Sequence, residues 1–392
     1  MSGRELNWQK GRLDVLRSVD GWLVLAIAAL CLCGIVFIGS ATRDDVLFGQ
    51  QQARQALFVV CGLGLGLFAI LPHYVHVLRL AWIFYCLVVL ALVGLPFFAP
   101  ELNGARRWYA FPGFSIQPSE FAKLAAVLAL AALLRFKSRA RAFEGLIVPM
   151  LVAGVPALLV LRQPDLGSAL MFAPVLFAMC HAAGASLRSI LAVLAIAAVV
   201  ALLAWFEVLH DYQRERVDVW LQHWGWHEGN LDSHRVREVL RDAGFQPWQA
   251  LIALGGGGLT GFGINQGPQN RYDFLPYRSE DYLFAVVGEE TGWLGCVLVL
   301  GLVAAVVYGL LAIALRTRER FGRLVCVGMA TWLGAQSLFH VAVCGWLVPS
   351  TGLPMPLLSY GGSSTMAMLL GLALCLNIGA RREPILSGDG FR

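Results

Sequence analysis

"SEDYLFAVVGEETGWLGCVLVLGLVAAVVYGLLAIAL", Ser279 to Leu315, joins four carboxylates to the longest apolar run of the chain. A bilayer core of about 30 Å takes roughly 20 residues of helix, so Tyr282–Leu315 is too long for one simple crossing. Its interior Gly288, Gly292 and Gly295 predict a division into a first portion held inside the protein at the membrane surface and a true span after it. Glu280 with Asp281 then stands at the outer end of this segment, and Glu289 with Glu290 about two turns deeper.

The remainder of the sequence has the same character. Of 392 residues, 58% are hydrophobic and only 14% charged, well outside the range of soluble domains and indicative of an all-α polytopic membrane protein. Nothing points to nucleic acid: the net charge of +5 is modest, and its arginines cluster at the ends of apolar runs. Reading at span length gives ten transmembrane helices, near Gly21–Ser40, Gln55–Leu71, Val77–Phe98, Pro118–Arg135, Leu146–Leu161, Leu166–Ala183, Ser189–Leu209, Tyr282–Leu315, Arg323–Val348 and Leu357–Gly379.

Lys and Arg accumulate on the cytoplasmic side of bilayers. With the N-terminus inside, the cytoplasmic segments hold Arg135, Lys137, Arg139, Arg141, Arg316, Arg318, Arg320 and Arg323, among others, while the short outer loops hold only Arg43, Arg54, Arg106, Arg107 and Arg162. Both termini are therefore predicted cytoplasmic. Residues 1–20 form a polar lead-in without a cleavage site, 21–380 one ten-helix domain, and 381–392 a tail. A large extracytoplasmic loop, 210–281, lies between helices 7 and 8; within it "LDSHRVREVLRDAGF" reads as an amphipathic helix and "LGGGGLTGFGINQG" as irregular backbone. No strand precedes that glycine run and no Lys-Ser/Thr follows it, which argues against a phosphate loop.

The nine cysteines lie in or beside apolar stretches with no metal spacing, so neither disulfides nor thiol chemistry is expected. His223 and His227 are four apart but lack a third ligand, and no metal site is assigned. Ionisable groups inside spans are costly and by default functional or paired. Glu120 and Lys123 share a helical face at the start of the fourth span, as a self-neutralising pair or facing a substrate. Arg107 beside Trp108 could grip a phosphate with its planar fork or simply anchor the interface. Asp165, after Gln163 and Pro164, is a natural helix cap. Ser279 is a candidate cap that would place Glu280 and Asp281 in the first turn of the eighth helix.

In order, "GARRWYAFPGFSIQPSEFAKL", "RQPDLGSAL", "DYQRER", "GGGGLTGFGINQGPQNRYDFLPYRSEDYLFAVVGEETGWLG" and "VPSTGLPMPLLSYGGSS" resemble the SEDS family, the RodA/FtsW/SpoVE proteins of bacterial elongation, division and sporulation, and most closely its RodA-like members. The resemblance implies a ten-helix fold and peptidoglycan glycosyltransferase activity on lipid II. It places Asp281 at the family's essential acidic position, with Tyr277 where the family has Glu, Glu280 where it has Thr, Tyr282 where it has Phe, and His340 where Asn would stand. Arg107, Trp108, Glu120, Lys123, Gln163 and Asp165 match its other polar positions. So does "TGLPMPLLSYGGSS", which carries Ser359 and Ser363.

The implied reaction joins C1 of a lipid-pyrophosphate-linked glycan to the 4-hydroxyl of incoming lipid II, with inversion and without a covalent glycosyl-enzyme. Asp281 is expected to be the general base, with Arg107, Lys123 and either Arg216 or Arg278 near the phosphates. Glu280 is expected to raise the pKa of Asp281, while Glu289 and Glu290 pair with interior groups. A divalent cation, Mg or Mn, could bridge the pyrophosphate, although the sequence offers no closed cage for it. The implied partners are membrane lipids, the lipid-linked nascent glycan and a class B penicillin-binding protein; the implied location is the bacterial inner membrane, active site outward. Two rival readings are a lipid II flippase and a non-catalytic scaffold for a transpeptidase.

Overall fold

A computed structural model describes residues 18–43, 49–101, 104–112, 114–136, 143–207, 211–225 and 244–381. The expected amphipathic helix at 231–245 lies almost wholly outside the described residues, as do His227, most of the polar N-terminal segment, the arginine cluster at 139–141 and nearly all of the C-terminal tail. The chain is helical nearly throughout. In order come α1 (Gly21–Ala41), α2 (Gln51–Ile70), α3 (Tyr74–Phe98), α4 (Pro118–Leu134), α5 (Ile147–Leu161), α6 (Leu166–Leu170), α7 (Phe172–Ala183), α8 (Leu187–Glu207), α9 (Asp211–Gly225), α10 (Phe245–Gly256), α11 (Pro268–Arg271), α12 (Leu283–Arg316), α13 (Arg320–Cys344) and α14 (Gly362–Ala380).

Seven of the described segments are long and apolar enough to cross a bilayer: α1, α2, α3, the combined α6–α7, α12, α13 and α14. The other three expected spans are helices too. However, α4 and α5 have only 17 and 15 residues, and the side chains of α8 are described only as far as Ala197. The all-α expectation needs one correction. Tyr109–Phe111 (β1) and Phe114–Ile116 (β2) pair antiparallel, Tyr109 opposite Ile116, as a small hairpin before α4. Strands of three residues are too short to show a period-two pattern in the sequence.

The bundle is arranged around α14 and α4, both buried along almost their whole length. Along α4, "AKLAAVLALAALL" gives small residues that let α3, α13 and α14 approach closely. Pro118 starts α4 at the position where a missing N–H costs nothing. By contrast, α3 shows most of its surface outward, as a lipid-facing helix must.

The long eighth span is divided as expected. Gly292 has φ +66° and ψ −164°, a conformation open to glycine alone, and breaks α12 between Thr291 and Trp293. A break leaves carbonyls on one side and amides on the other without helical partners. The glycine run of the long loop supplies both. Phe262 and Gly263 donate to the carbonyls of Glu289 and Glu290 at 3.0 and 2.9 Å, while Trp293 and Leu294 donate to those of Gly258 and Leu259 at 2.8 and 3.2 Å. A Cβ at Gly261 would collide with the Glu290 carbonyl, so the run is glycine because two backbones meet there. The irregular-backbone expectation holds for residues 257–267; Gly255 and Gly256 instead finish α10.

Candidate active site

Asp281 does not occupy the first helical turn, because α12 begins only at Leu283. Glu280 and Asp281 instead close a tight turn, their amides donating to the Tyr277 carbonyl at 3.1 and 2.9 Å. Tyr277 itself stands at φ +51°, in the left-handed region. That turn aims the Asp281 carboxylate into a pocket of about 330 Å³, lined among others by Arg107, Trp108, Arg216, Tyr277, Glu280 and Gly352. Five other parts of the chain meet that turn there: the segment before the hairpin, the start of α6, α9 of the long loop, Gln246 of α10, and the residues between α13 and α14.

Each wall is fixed by identifiable bonds. Arg107 donates through Nε to the Gln163 carbonyl and through Nη2 to that of Pro164, both at 2.7 Å, so its fork is held before any ligand arrives. Arg216 Nη1 donates to the Ser350 carbonyl at 3.0 Å. Asp165 caps α6, Oδ1 accepting from the Ser168 amide at 3.0 Å and Oδ2 from Gln117 Nε2 at 3.3 Å. His223 stacks on Trp346 with ring centres 4.0 Å apart, seating α9 on the segment between α13 and α14.

Among the described residues nothing donates a hydrogen bond to the Asp281 carboxylate, and a Cβ built on Gly352 would come within 3.3 Å of its Oδ2. Burial is the main cause that pushes its pKa up to about 7. The neighbouring charges of Glu280 and Asp165 push the same way, against Arg216 and Arg107. Burial also raises Glu280. A carboxylate with that pKa, beside two fixed guanidinium groups, can take a proton near neutrality while positive charge faces whatever anion develops. Among the described residues no three His, Cys, Asp or Glu come together as a metal site, so Glu280 and Asp281 would hold a hard cation only with oxygens from a ligand.

The other residues singled out in the sequence fall into three groups. Arg107, Trp108, Arg216 and Glu280 line the pocket with Asp281; Gln163 and Asp165 stand behind it as supports. Arg278 is turned away, paired with Asp273 and donating to the Ala41 carbonyl, and does not line the pocket. Glu120, Lys123, Ser359 and Ser363 are buried in the bundle rather than exposed to a ligand. Lys123 Nζ meets Glu120 at 2.8 Å and Gln336 Oε1 at 3.1 Å. Ser359 Oγ accepts from the Met355 amide and Ser363 Oγ from the Gln117 amide. Arg106 is spent on the Pro96 carbonyl and Glu101.

Glu289 and Glu290 clamp the long loop. Glu289 accepts from the amides of Gln269 and Asn270 at 2.6 and 3.1 Å; Glu290 accepts from Ser40 Oγ, the Asn265 amide at 3.1 Å and Asn270 Nδ2 at 2.8 Å.

Sequence reasoning overlooked Gln55, Gln336 and Gly352. Gln55 accepts from the Gly361 amide at 3.2 Å and donates to Thr365 Oγ1 at 2.9 Å, and Gln336 Nε2 donates to the Pro354 carbonyl at 2.7 Å. The available signal was a neutral amide inside an apolar span, where polar side chains act as glue between helices.

The chain is similar to known proteins along most of its length. A family model of cell cycle proteins, FtsW/RodA/SpoVE, matches residues 21–383. The probable peptidoglycan glycosyltransferase FtsW of Geobacter sulfurreducens is 33% identical over 377 residues, 92% of this chain and 94% of that one. Among solved structures, one chain of a peptidoglycan synthase complex that coordinates polymerization and crosslinking superposes with a TM-score of 0.76, at 31% identity over 93% of this chain and 98% of its own. The rod shape determining protein RodA of Thermus thermophilus does so with a TM-score of 0.67, at 28% identity over 96% and 99%. With that family model covering nearly the whole chain and a relative 33% identical along it, the chain belongs to the FtsW/RodA/SpoVE family of cell cycle proteins.

Proposed function

We propose that the protein is a peptidoglycan glycosyltransferase that polymerises lipid II at the outer face of the bacterial inner membrane, with Asp281 as the general base. The observation that carries this reading is the Asp281 carboxylate, unbonded and with its pKa near 7, in a pocket that also holds Arg107 and Arg216. The acceptor sugar's 4-hydroxyl oxygen attacks C1 of the lipid-pyrophosphate-linked glycan. As the C1–O bond to the pyrophosphate breaks, the hydroxyl proton passes to Asp281 and polyprenyl pyrophosphate leaves with the bond's electron pair. Arg107 and Arg216 face the charge that develops on the leaving group. A single displacement inverts the anomeric carbon, which one base suffices to support.

Ten membrane crossings with both termini cytoplasmic put this pocket outside, in keeping with the arginine distribution between loops. The substrate's polyprenyl tails then stay in the bilayer while their sugars reach Asp281. The partner is a class B penicillin-binding protein that crosslinks the emerging strand, a reading supported by the similarity to a chain of a synthase complex. A flippase would need its charged groups to meet cargo inside the bundle, whereas Glu120 and Lys123 neutralise each other and are packed away.

The test uses purified protein in liposomes with dye-labelled lipid II, scoring polymer formation and translocation separately. Glycan strands without translocation are expected. Translocation without strands would replace this reading with the transport one, and neither activity would leave a scaffold.

A further inference from the structure

Two side chains one turn apart on α13 reach toward the loop that faces Asp281. Gln336 Nε2 donates to the Pro354 carbonyl at 2.7 Å, and His340 Nδ1 lies 2.8 Å from the carbonyl of Leu353. A carbonyl can only accept, so Nδ1 carries a proton. Both residues are completely buried, and neither lines the pocket.

What they hold matters because of where it leads. Immediately before Leu353, the residues Ser350, Thr351 and Gly352 form one wall of the pocket. Gly352 stands at φ +67°, and a Cβ built on it would come within 3.3 Å of Asp281 Oδ2. From the opposite side Arg216 grips the Ser350 carbonyl. The loop is thus pinned at both ends of the stretch that covers the carboxylate. Gln336 is itself fixed, its Oε1 accepting from Lys123 Nζ at 3.1 Å and from Trp332 Nε1 at 2.7 Å. The buried ion pair of α4 therefore reaches the pocket wall through one amide side chain.

We propose that Gln336 and His340 are positioning residues of the glycosyl transfer: by holding two successive carbonyls they set residues 350–352 against Asp281 and narrow the access of water to its carboxylate. The proposal rests on Asp281 being the base. Without these donors the buried Leu353 carbonyl and the part-buried Pro354 carbonyl would lose their partners, and the loop would move to recover them from water. More water would then reach Asp281, whose charged neighbours are Glu280, Asp165, Arg107 and Arg216.

Full-length protein in liposomes with lipid II provides the test, with His340→Leu, Gln336→Leu, His340→Asn and Asp281→Asn compared by turnover against pH and by hydrogen exchange of residues 350–355. Each leucine variant is expected to lower turnover at least about tenfold, as small misplacements of catalytic groups do. Each should also move the acid limb of the profile to lower pH and speed exchange in the loop. His340→Asn, whose amide can still donate to Leu353, should recover most of the rate and the position of the limb.

If a leucine variant fails to fold, Gln336→Glu gives the same prediction, since it keeps the size and the Lys123 contact but loses the donor to Pro354. Unchanged turnover and limb in these variants would overturn the proposal. So would lost turnover with limb and loop exchange both unmoved. An active Asp281→Asn protein would instead remove the reading of Asp281 as base, while the exchange data would still report whether the two side chains hold the loop.

Discussion

The two acid pairs of the opening segment belong to one stretch of chain and have opposite surroundings. Glu289 and Glu290 receive five hydrogen bonds, from Gln269, Asn270 twice, Ser40 and Asn265. Asp281 receives none among the described residues. Identical chemistry thus serves two ends. A carboxylate saturated with donors becomes a clamp between elements, and one left without donors beside guanidinium groups keeps its lone pairs available for a proton.

The strongest way to break this comparison is to remove a clamp. Glu290→Leu takes an acceptor from three donors; the Asn265 amide and Asn270 Nδ2 keep longer bonds to Ser40, so the cost is roughly 1–3 kcal/mol for each donor that stays buried and unpaired, a large part of the stability of many proteins. The variant should accumulate poorly and melt far below the parent in detergent. Normal melting would mean that the clamp is dispensable.

Next in size is Arg107→Ala on the pocket side. Losing the positive group proposed to face the leaving pyrophosphate should lower turnover about a hundredfold, with a modest fall in melting because the Gln163 and Pro164 carbonyls lose their donor. A drop in melting temperature without a drop in turnover would reassign Arg107 to the structural class.

Gly292→Ala tests the break itself. An alanine at φ +66°, ψ −164° costs about 1–3 kcal/mol in backbone strain, and its Cβ would also meet the Leu259 carbonyl at 2.5 Å. Melting should fall, while the pH dependence of the remaining activity stays where it was. The smallest effect is expected for Glu280→Gln. Glu280 is one of the charges that raise Asp281, so removing it should shift the acid limb of turnover to lower pH and favour activity at pH 6 relative to pH 8. An upward shift would show that Glu280 acts on Asp281 by another route.

Much of this arrangement could be read before the fold was known, and the reasons differ by region. Apolar runs of span length announce helices, because a bilayer leaves the backbone no other open arrangement. The break at Gly292 was legible because small residues interrupt a run too long for one crossing. Asp281 stood out through its resemblance to a family motif, yet its lack of donors was invisible, since the donors that matter to Glu289 and Glu290 lie in a loop folded back from elsewhere.

Arg278 misled for a related reason. A nearby arginine looks fit for phosphate until Asp273 and the Ala41 carbonyl are seen to occupy it. Gln336 and Gln55 escaped notice because the cost of burial was weighed for charges only, and neutral amides hold the outer loop just as firmly.

The most direct test of the difference between the two acid pairs is polymerisation of lipid II by purified Asp281→Asn protein, with melting measured on the same sample. The substitution removes a proton acceptor that has no hydrogen-bonded partner to lose. Melting at or above the parent value is therefore expected, together with a loss of polymerisation of about 10²- to 10⁴-fold. Glycan strands made at the parental rate by a normally folded Asp281→Asn protein would contradict the account.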